Sequence, residues 1–263
     1  MSVTVVRKPA VAGMFYPANP KELRQMVKGF LKKAKASGPV PKAIIAPHAG
    51  YIYSGPIAAS AYARLVPARD VITRVVLLGP AHRVPFAGLA APAVDAFSTP
   101  LGDIPVDKAG VAQLRALPQI QVLDLAHATE HSLEVQLPFL QEVLAKFALL
   151  PLCVGDTDPK QIAEVLDRSW GGPETLIVVS SDLSHYQAYE TSQQMDQATS
   201  QAIEKLKPEG ISYEQACGRL PIQGLLLAAK QRGMKCQTVD LRSSGDTAGP
   251  RDEVVGYGAY VFT

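Results

Sequence analysis

The sequence predicts a single α/β domain spanning residues 1–263, in which apolar strands alternate with amphipathic helices. The 263 residues are 47% apolar, enough to fill one sizeable core, and they contain no repeat, low-complexity tract or linker. Three apolar runs, residues 43–46, 74–78 and 176–179, each end in a turn that is followed by a histidine. Because the carboxyl ends of strands form the ligand crevice of open α/β sheets, we expect these histidines to point toward one place.

The remaining elements follow from capping residues and hydrophobic periodicity. Asn19 and Pro20 are typical of a helix start, and apolar residues at helical spacing continue that helix to about residue 35. Further helices are predicted from residue 54 onward and over residues 106–114, 127–147, 159–166, 188–205 and 220–232. Pro138 is expected to bend the helix over residues 127–147. Further strands are predicted over residues 89–94, 120–124, 149–154, 236–241 and 254–262.

The charge and hydropathy of the chain exclude two classes of partner. A net charge of +2 without an extended Lys/Arg cluster gives no support for nucleic acid as a principal partner. No apolar run approaches the ~18 residues of a membrane span, and the N-terminal segment lacks the apolar core of a signal peptide. We therefore expect a soluble, cytoplasmic protein that does not act at a membrane.

Several common catalytic motifs are missing from the sequence. Cys153, Cys217 and Cys236 form no C-x-x-C pair and are expected to be buried free thiols. Ser180 and Ser181 end a predicted strand, but no G-x-S-x-G elbow surrounds them. The glycines near His48 match neither a dinucleotide-binding fingerprint nor a P-loop.

The five histidines indicate a metal or acid–base site, because all of them lie in polar or glycine-containing loops. They are His48, His82, His127, His131 and His185. Imidazole suits Zn, Cu, Fe and Ni, and two histidines with one carboxylate suit non-haem Fe(II). The candidate carboxylates near predicted strand ends are Asp182, Asp246, Asp252 and Glu253.

Two of these carboxylates have a sequence context of their own. Asp182 lies three residues before His185, a spacing that fits a carboxylate orienting a general-base histidine. Asp246 follows a predicted strand within a Ser-Ser-Gly loop, where it could be a metal ligand or a simple turn residue. The spacing alone leaves both interpretations open.

At these residues the sequence resembles the Memo family, whose relatives in fold are the class III extradiol dioxygenases. The matching segments span nearly the whole chain in order. They are Arg7-Lys-Pro-Ala-Val-Ala-Gly-Met-Phe-Tyr-Pro17, Ala46-Pro-His-Ala-Gly-Tyr51, Leu78-Gly-Pro-Ala-His82, Glu130-His-Ser-Leu-Glu-Val-Gln-Leu-Pro138, Ser180-Ser-Asp-Leu-Ser-His-Tyr186, Ser244-Gly-Asp246 and Val254-Val-Gly-Tyr257. The resemblance implies a three-layer α/β/α sandwich around a central mixed sheet.

The resemblance also implies roles for individual residues. His48 and His82 match two metal-binding histidines, with Asp246 in the place of the third ligand. His185 matches the acid–base histidine of the dioxygenases, with Asp182 beside it. His131 is implied to line the same pocket and to steer O₂ or a substrate anion. A catalytic set of His185, Asp182 and His131 would thus adjoin a metal set of His48, His82 and Asp246.

Two functions are compatible with these residues. The first is an Fe(II)-dependent, dioxygenase-like oxidoreductase acting on a small molecule, with Zn or Cu as other metals and a Zn-dependent hydrolase as a further variant. The second is a non-catalytic module that binds a metal or a peptide and acts through a protein partner, for which the resemblance implies a radical-SAM protein.

Overall fold

The computed structural model describes residues 4–263 as an α/β domain, so residues 1–3 of the expected domain lie outside the described part. The strands are β1 (Val6–Arg7), β2 (Ala43–Ala46), β3 (Arg74–Pro80), β4 (Leu89–Ala91), β5 (Ala96–Thr99), β6 (Gly102–Pro105), β7 (Ile120–Val122), β8 (Ala148–Val154), β9 (Thr175–Ser180), β10 (His185–Gln187), β11 (Cys236–Ser243) and β12 (Val254–Phe262). The helices are α1 (Pro20–Lys33), α2 (Tyr51–Tyr62), α3 (Lys108–Leu114), α4 (Asp124–Ala128), α5 (Leu137–Val143), α6 (Pro159–Ser169), α7 (Tyr189–Glu204) and α8 (Arg219–Gln231).

Nine of the described strands form one mixed sheet. Its order is β10-β12-β2-β9-β3-β8-β4-β7, with β11 on the other side of β12. Strands β2, β9, β3 and β8 are parallel neighbours, so their carboxyl ends lie at one edge of the sheet. Strand β12 is antiparallel to β2, and β4 is antiparallel to β8. A small second sheet has the order β1-β5-β6.

Helices cover both faces of the large sheet, as the predicted three-layer sandwich requires. Helices α1, α2 and α5 pack together, and α2 also contacts β2, β11 and β12. The second layer contains α6, α7 and α8, of which α8 contacts β3 and β9. The central strands are completely buried and read as continuous apolar runs, which is the pattern of strands covered on both sides. The fold class predicted from the sequence is confirmed.

The segment over residues 127–147 differs most from its prediction. In place of one long helix, the chain forms α4, a loop, a single 3₁₀ turn (Glu134–Gln136) and the short α5. Pro138 lies in the first turn of α5, where a backbone N–H has no partner within the helix, so the missing N–H of proline costs no hydrogen bond. Pro138 therefore begins this helix instead of bending a longer one. The irregular loop leaves Glu130 and His131 beside the carboxyl ends of the central strands.

Among the helices of residues 4–263, none combines the length and the apolar character that crossing a bilayer would require.

Candidate metal centre

Three histidines from distant parts of the chain meet at one edge of the sheet. His48 follows the carboxyl end of β2, His82 follows that of β3, and His131 lies in the loop between α4 and α5. Their ring centroids are 4.8 Å apart for His82 and His131, 5.3 Å for His48 and His82, and 5.4 Å for His48 and His131. One ring nitrogen of each lies within 4.8 Å of those of the other two, so one ion could contact all three. We call these residues the three-histidine cluster.

The hydrogen bonds of His48 fix its tautomer. The Ser180 hydroxyl donates its proton to the Ser132 carbonyl at 2.6 Å, so at 2.8 Å it can only accept from Nδ1 of His48. The Nδ1 atom of His48 therefore carries the proton, and its Nε2 atom keeps the lone pair that a metal requires. Burial, reinforced by the neighbouring imidazoles, lowers the pKa of His48 well below its ordinary value.

His82 is oriented by a carboxylate in the same way. Its Nδ1 atom lies 2.9 Å from Oε1 of Glu130, and its backbone N–H donates to Oε2 at 2.6 Å. A carboxylate behind a ligating histidine fixes the ring and raises its basicity. Burial opposes the ionisation of Glu130, but its hydrogen bonds to His82 and Ser132 outweigh burial and lower its pKa to about 2.

The third histidine has an unsatisfied nitrogen. Nδ1 of His131 is shielded from solvent without a hydrogen-bond partner among the described residues, and it lies 3.4 Å from Oε1 of Glu130. Burial lowers the pKa of His131 to about 4, so the ring is neutral at pH 7. Three clustered imidazoles, two held through Nδ1 by neighbouring oxygens and one with an unpaired buried nitrogen, fit a transition-metal ion.

Asp182 and His185 lie beside this cluster, after the carboxyl end of β9. Oδ1 of Asp182 accepts the backbone N–H of His48 at 2.7 Å, and Oδ2 lies 4.0 Å from Nε2 of His48. Burial raises the pKa of Asp182 to about 6, against the hydrogen bond from His48. Nδ1 of His185 donates to the Leu183 carbonyl at 2.8 Å, which leaves Nε2 as a proton acceptor.

Comparison with known proteins identifies the family. The Memo family profile, described as Memo-like protein, matches residues 7–261. MEMO1 family proteins of Aquifex aeolicus and Methanococcoides burtonii are 37% and 38% identical to this chain. They cover 98% and 97% of it, with 99% of each relative matched. The chain belongs to the Memo family. The family predicted from the sequence motifs is confirmed.

Other relatives of this Memo-family chain extend the comparison. A MEMO1 family protein of Methanopyrus kandleri is 35% identical over 97% of this chain and 98% of its own length. The crystal structure of the uncharacterized protein JW3007 from Escherichia coli K12 superposes with a TM-score of 0.51 at 12% identity. That match covers 83% of this chain and 98% of the other, and it supports the fold alone.

Asp246 is not brought to the three-histidine cluster of this Memo-family chain. It ends a 3₁₀ turn (Ser244–Asp246), where its Oδ2 accepts from the backbone N–H of Ser243 at 2.8 Å and from the hydroxyl at 3.0 Å. Its Oδ1 accepts the Tyr189 hydroxyl at 2.5 Å. The carboxylate thus caps its own turn and faces a separate cavity of about 500 Å³. In this structure His131 lies where the sequence led us to expect a carboxylate.

A cavity of about 700 Å³ opens in front of the cluster. All three histidines of the cluster, together with Asp182 and His185, line it. The walls also carry four aromatic side chains, Phe15, Tyr53, Tyr186 and Tyr257. The cavity is large enough for a small organic molecule and offers both proton acceptors and flat apolar surfaces.

Sequence reasoning missed Glu130 and Cys217 in this Memo-family site. The signal for Glu130 was available, because it directly precedes His131 within a polar segment. Sγ of Cys217 lies 3.4 Å from Nε2 of His48 and accepts the Asp182 backbone N–H at 3.3 Å. Burial raises the pKa of this thiol to about 12. No sequence signal pointed to Cys217, since the loop before α8 comes close to His48 only in the folded protein.

Proposed function

We propose that the protein is a metal-dependent enzyme that uses the three-histidine cluster to hold a transition-metal ion and acts on a small molecule. The convergence of His48, His82 and His131 at the floor of the 700 Å³ cavity carries this proposal. Fe(II) is the first metal to test, because the family resembles non-haem iron dioxygenases, and imidazole ligands also suit Zn and Cu. A dioxygenase-like oxidoreductase is the reaction class that we propose.

Each residue around the cavity would have a defined task. Nε2 of His185 would take a proton from a substrate hydroxyl, because its Nδ1 is already bound to the Leu183 carbonyl. Asp182 would hold the His48 loop through its hydrogen bond to the His48 backbone and supply negative charge beside the cluster. The bound metal would supply Lewis acidity and, for iron or copper, electron transfer. The aromatic walls would exclude water from the reacting face of the ligand.

Metal analysis of protein purified without oxygen tests the proposal. We expect near-stoichiometric metal in the wild type and its loss in His48→Ala, His82→Ala and His131→Ala. Asp246→Ala and His127→Gln are the matched controls, since both residues lie outside the cluster, and they should retain the metal. Folded, metal-free wild-type protein would overturn the proposal. Loss of metal in Asp246→Ala alone would restore the ligand set expected from the sequence.

Oxygen consumption then tests the reaction class. The Fe(II)-loaded protein should consume O₂ with a catechol-type substrate, and His185→Gln should slow this by about 10²- to 10⁴-fold, as for loss of a general base. A stoichiometric zinc site without oxygen consumption would favour a hydrolase. A metal site without any turnover would favour the non-catalytic module, which binds a metal or peptide and acts through a protein partner. A radical-SAM protein as that partner stays a prediction.

A further inference from the structure

Strand β10 contains a bulge at Tyr186, directly after the proposed base His185. Opposite it in β12, His185 pairs with Val255 and Gln187 pairs with Val254, so Tyr186 has no partner of its own. Its φ angle is 54°, a left-handed conformation that is unfavourable for a bulky residue. Among residues 4–263, Leu206 is the only other non-glycine residue with positive φ. Bulges near functional sites often redirect a side chain.

The bulge places two consecutive side chains in the same cavity. In a regular strand His185 and Tyr186 would point to opposite faces of the sheet. Here both line the 700 Å³ cavity, and their ring centroids are 5.9 Å apart. Tyr186 as a whole residue is 73% exposed, so packing in the core does not explain the strained backbone. Strain that contributes nothing to packing is typical of a residue placed for binding.

The surroundings of Tyr186 indicate what it would bind. Phe15, Tyr53 and Tyr257 line the same cavity, whereas the nitrogen atoms of the three-histidine cluster lie at its floor. A ligand that fits both features has a flat aromatic ring for the walls and oxygen donors for the floor. We propose that Tyr186 is a positioning residue that stacks a planar aromatic ligand over the three-histidine cluster. This inference rests on the proposed metal-dependent function and names its ligand class.

Calorimetry on the metal-loaded full chain separates the ring from the metal. The probes are 4-nitrocatechol, which is aromatic and has two oxygen donors, and acetohydroxamate, which has two oxygen donors and no ring. Tyr186→Asn removes the ring and tolerates the left-handed backbone, and Tyr186→Phe keeps the ring. Tyr213→Asn is the control, because Tyr213 is equally exposed and lines a different cavity.

We expect Tyr186→Asn to weaken 4-nitrocatechol binding by about tenfold and to leave acetohydroxamate binding and metal content unchanged. Tyr186→Phe and Tyr213→Asn should bind both probes like the wild type. Unchanged 4-nitrocatechol binding in Tyr186→Asn would overturn the inference. An equal loss for both probes would also overturn it, because that result would mean general disorder of the site.

Saturation-transfer NMR on the metal-free protein distinguishes failure of this inference from failure of the proposed function. The ring protons of 4-nitrocatechol should be saturated more strongly by the wild type and by Tyr186→Phe than by Tyr186→Asn. If the wild type binds no metal but gives this pattern, the metal-dependent function fails and the stacking role stands. If it binds no metal and the pattern is absent, both fail.

Discussion

Glu130 holds His82 at two points, accepting its ring Nδ1–H at 2.9 Å and its backbone N–H at 2.6 Å. The same carboxylate accepts the backbone N–H groups of His131 and Ser132, both at 2.9 Å. One buried side chain therefore orients two members of the three-histidine cluster. Its environment explains why it remains ionised although it is removed from solvent, since four donors surround it.

Glu130→Gln should weaken metal binding by about 10- to 100-fold, as for loss of other carboxylates behind ligating histidines. The amide retains the size of the side chain but lacks the negative charge that raises the basicity of His82 and so strengthens it as a metal ligand. Competition with a chromophoric chelator measures the affinity, and circular dichroism verifies folding. Asp95→Asn, at an exposed carboxylate that pairs with Lys108, is the control. Wild-type affinity in folded Glu130→Gln would refute the positioning role of Glu130.

Arg7→Met and Glu134→Gln should each destabilise the fold by about 3–5 kcal/mol, because each leaves a buried charge without its partner. Arg7 forms an ion pair with Glu134 and also donates to the carbonyls of His127 and Glu130, at 3.0 and 2.7 Å. Urea unfolding measures the loss. The double variant should lose less than the sum of the two single variants. Strict additivity, or losses under 1 kcal/mol, would contradict the importance of this pair.

His127 should make the protein less stable as the pH falls from about 6.5 to about 4. Burial lowers the pKa of His127 to about 4, against the hydrogen bond that its Nε2 donates to the Ala90 carbonyl. In the unfolded chain His127 is protonated as the pH falls below about 6.5, whereas in the folded chain it is protonated only near pH 4. The contribution of neutral His127 to stability is therefore fully present above pH 6.5 and is lost as the pH falls toward about 4.

The matched variant for this pH dependence is His127→Gln, whose amide can still donate to Ala90 but does not titrate. Unfolding free energies at several pH values should give a slope that is smaller by up to about 1.4 kcal/mol per pH unit than that of the wild type. Identical slopes in the two proteins would exclude His127 as the source of this acid sensitivity.

Gly256→Ala should destabilise the fold by about 2–4 kcal/mol through overpacking and a lost hydrogen bond. A Cβ at Gly256 would lie 1.8 Å from Oδ2 of buried Asp196, whose other oxygen accepts the Ser184 backbone N–H at 3.0 Å. Gly29→Ala in α1 is the control, because a Cβ there meets no described heavy atom within 4 Å. It should stabilise by about 0.5–1 kcal/mol. Urea unfolding measures the free energy of unfolding of both variants. Equal changes in Gly256→Ala and Gly29→Ala would contradict the clash with Asp196.

The sequence predicted the part of the site that depends on strands. Buried strands are recognisable in the sequence as apolar runs, and parallel strands end at a common edge of the sheet. His48, His82 and His185 could therefore be assigned to one place before the fold was known. The predicted strand over residues 74–78 appears as β3, which continues to Pro80. Local hydrophobic patterning was sufficient to predict a site residue wherever a regular strand positions its side chain in the site.

The rest of the site depends on loops, and loop geometry is set by contacts that are distant in sequence. His131 joins the cluster because buried Arg7 and Glu130 hold the loop between α4 and α5. Asp246 has suitable chemistry for a ligand, but its carboxylate turns back to Ser243 and Tyr189. Neither arrangement leaves a periodic signal in the sequence. Nor does the bulge at Tyr186, which is defined only by its pairing with β12.

The position of β12 in the sheet has a consequence for how the protein is made. This strand is the last in chain order, yet it lies between β2 and β11, and its residues Tyr260, Val261 and Phe262 pair with Ile45, Ile44 and Ala43. While the chain is being translated, β2 and the following His48 therefore lack one neighbour until β12 has been synthesised and has left the ribosome. Such distant pairing also slows folding. A metal ion captured earlier by the emerging histidines would meet an incomplete site, so stable metal loading should follow the pairing of β12 with β2.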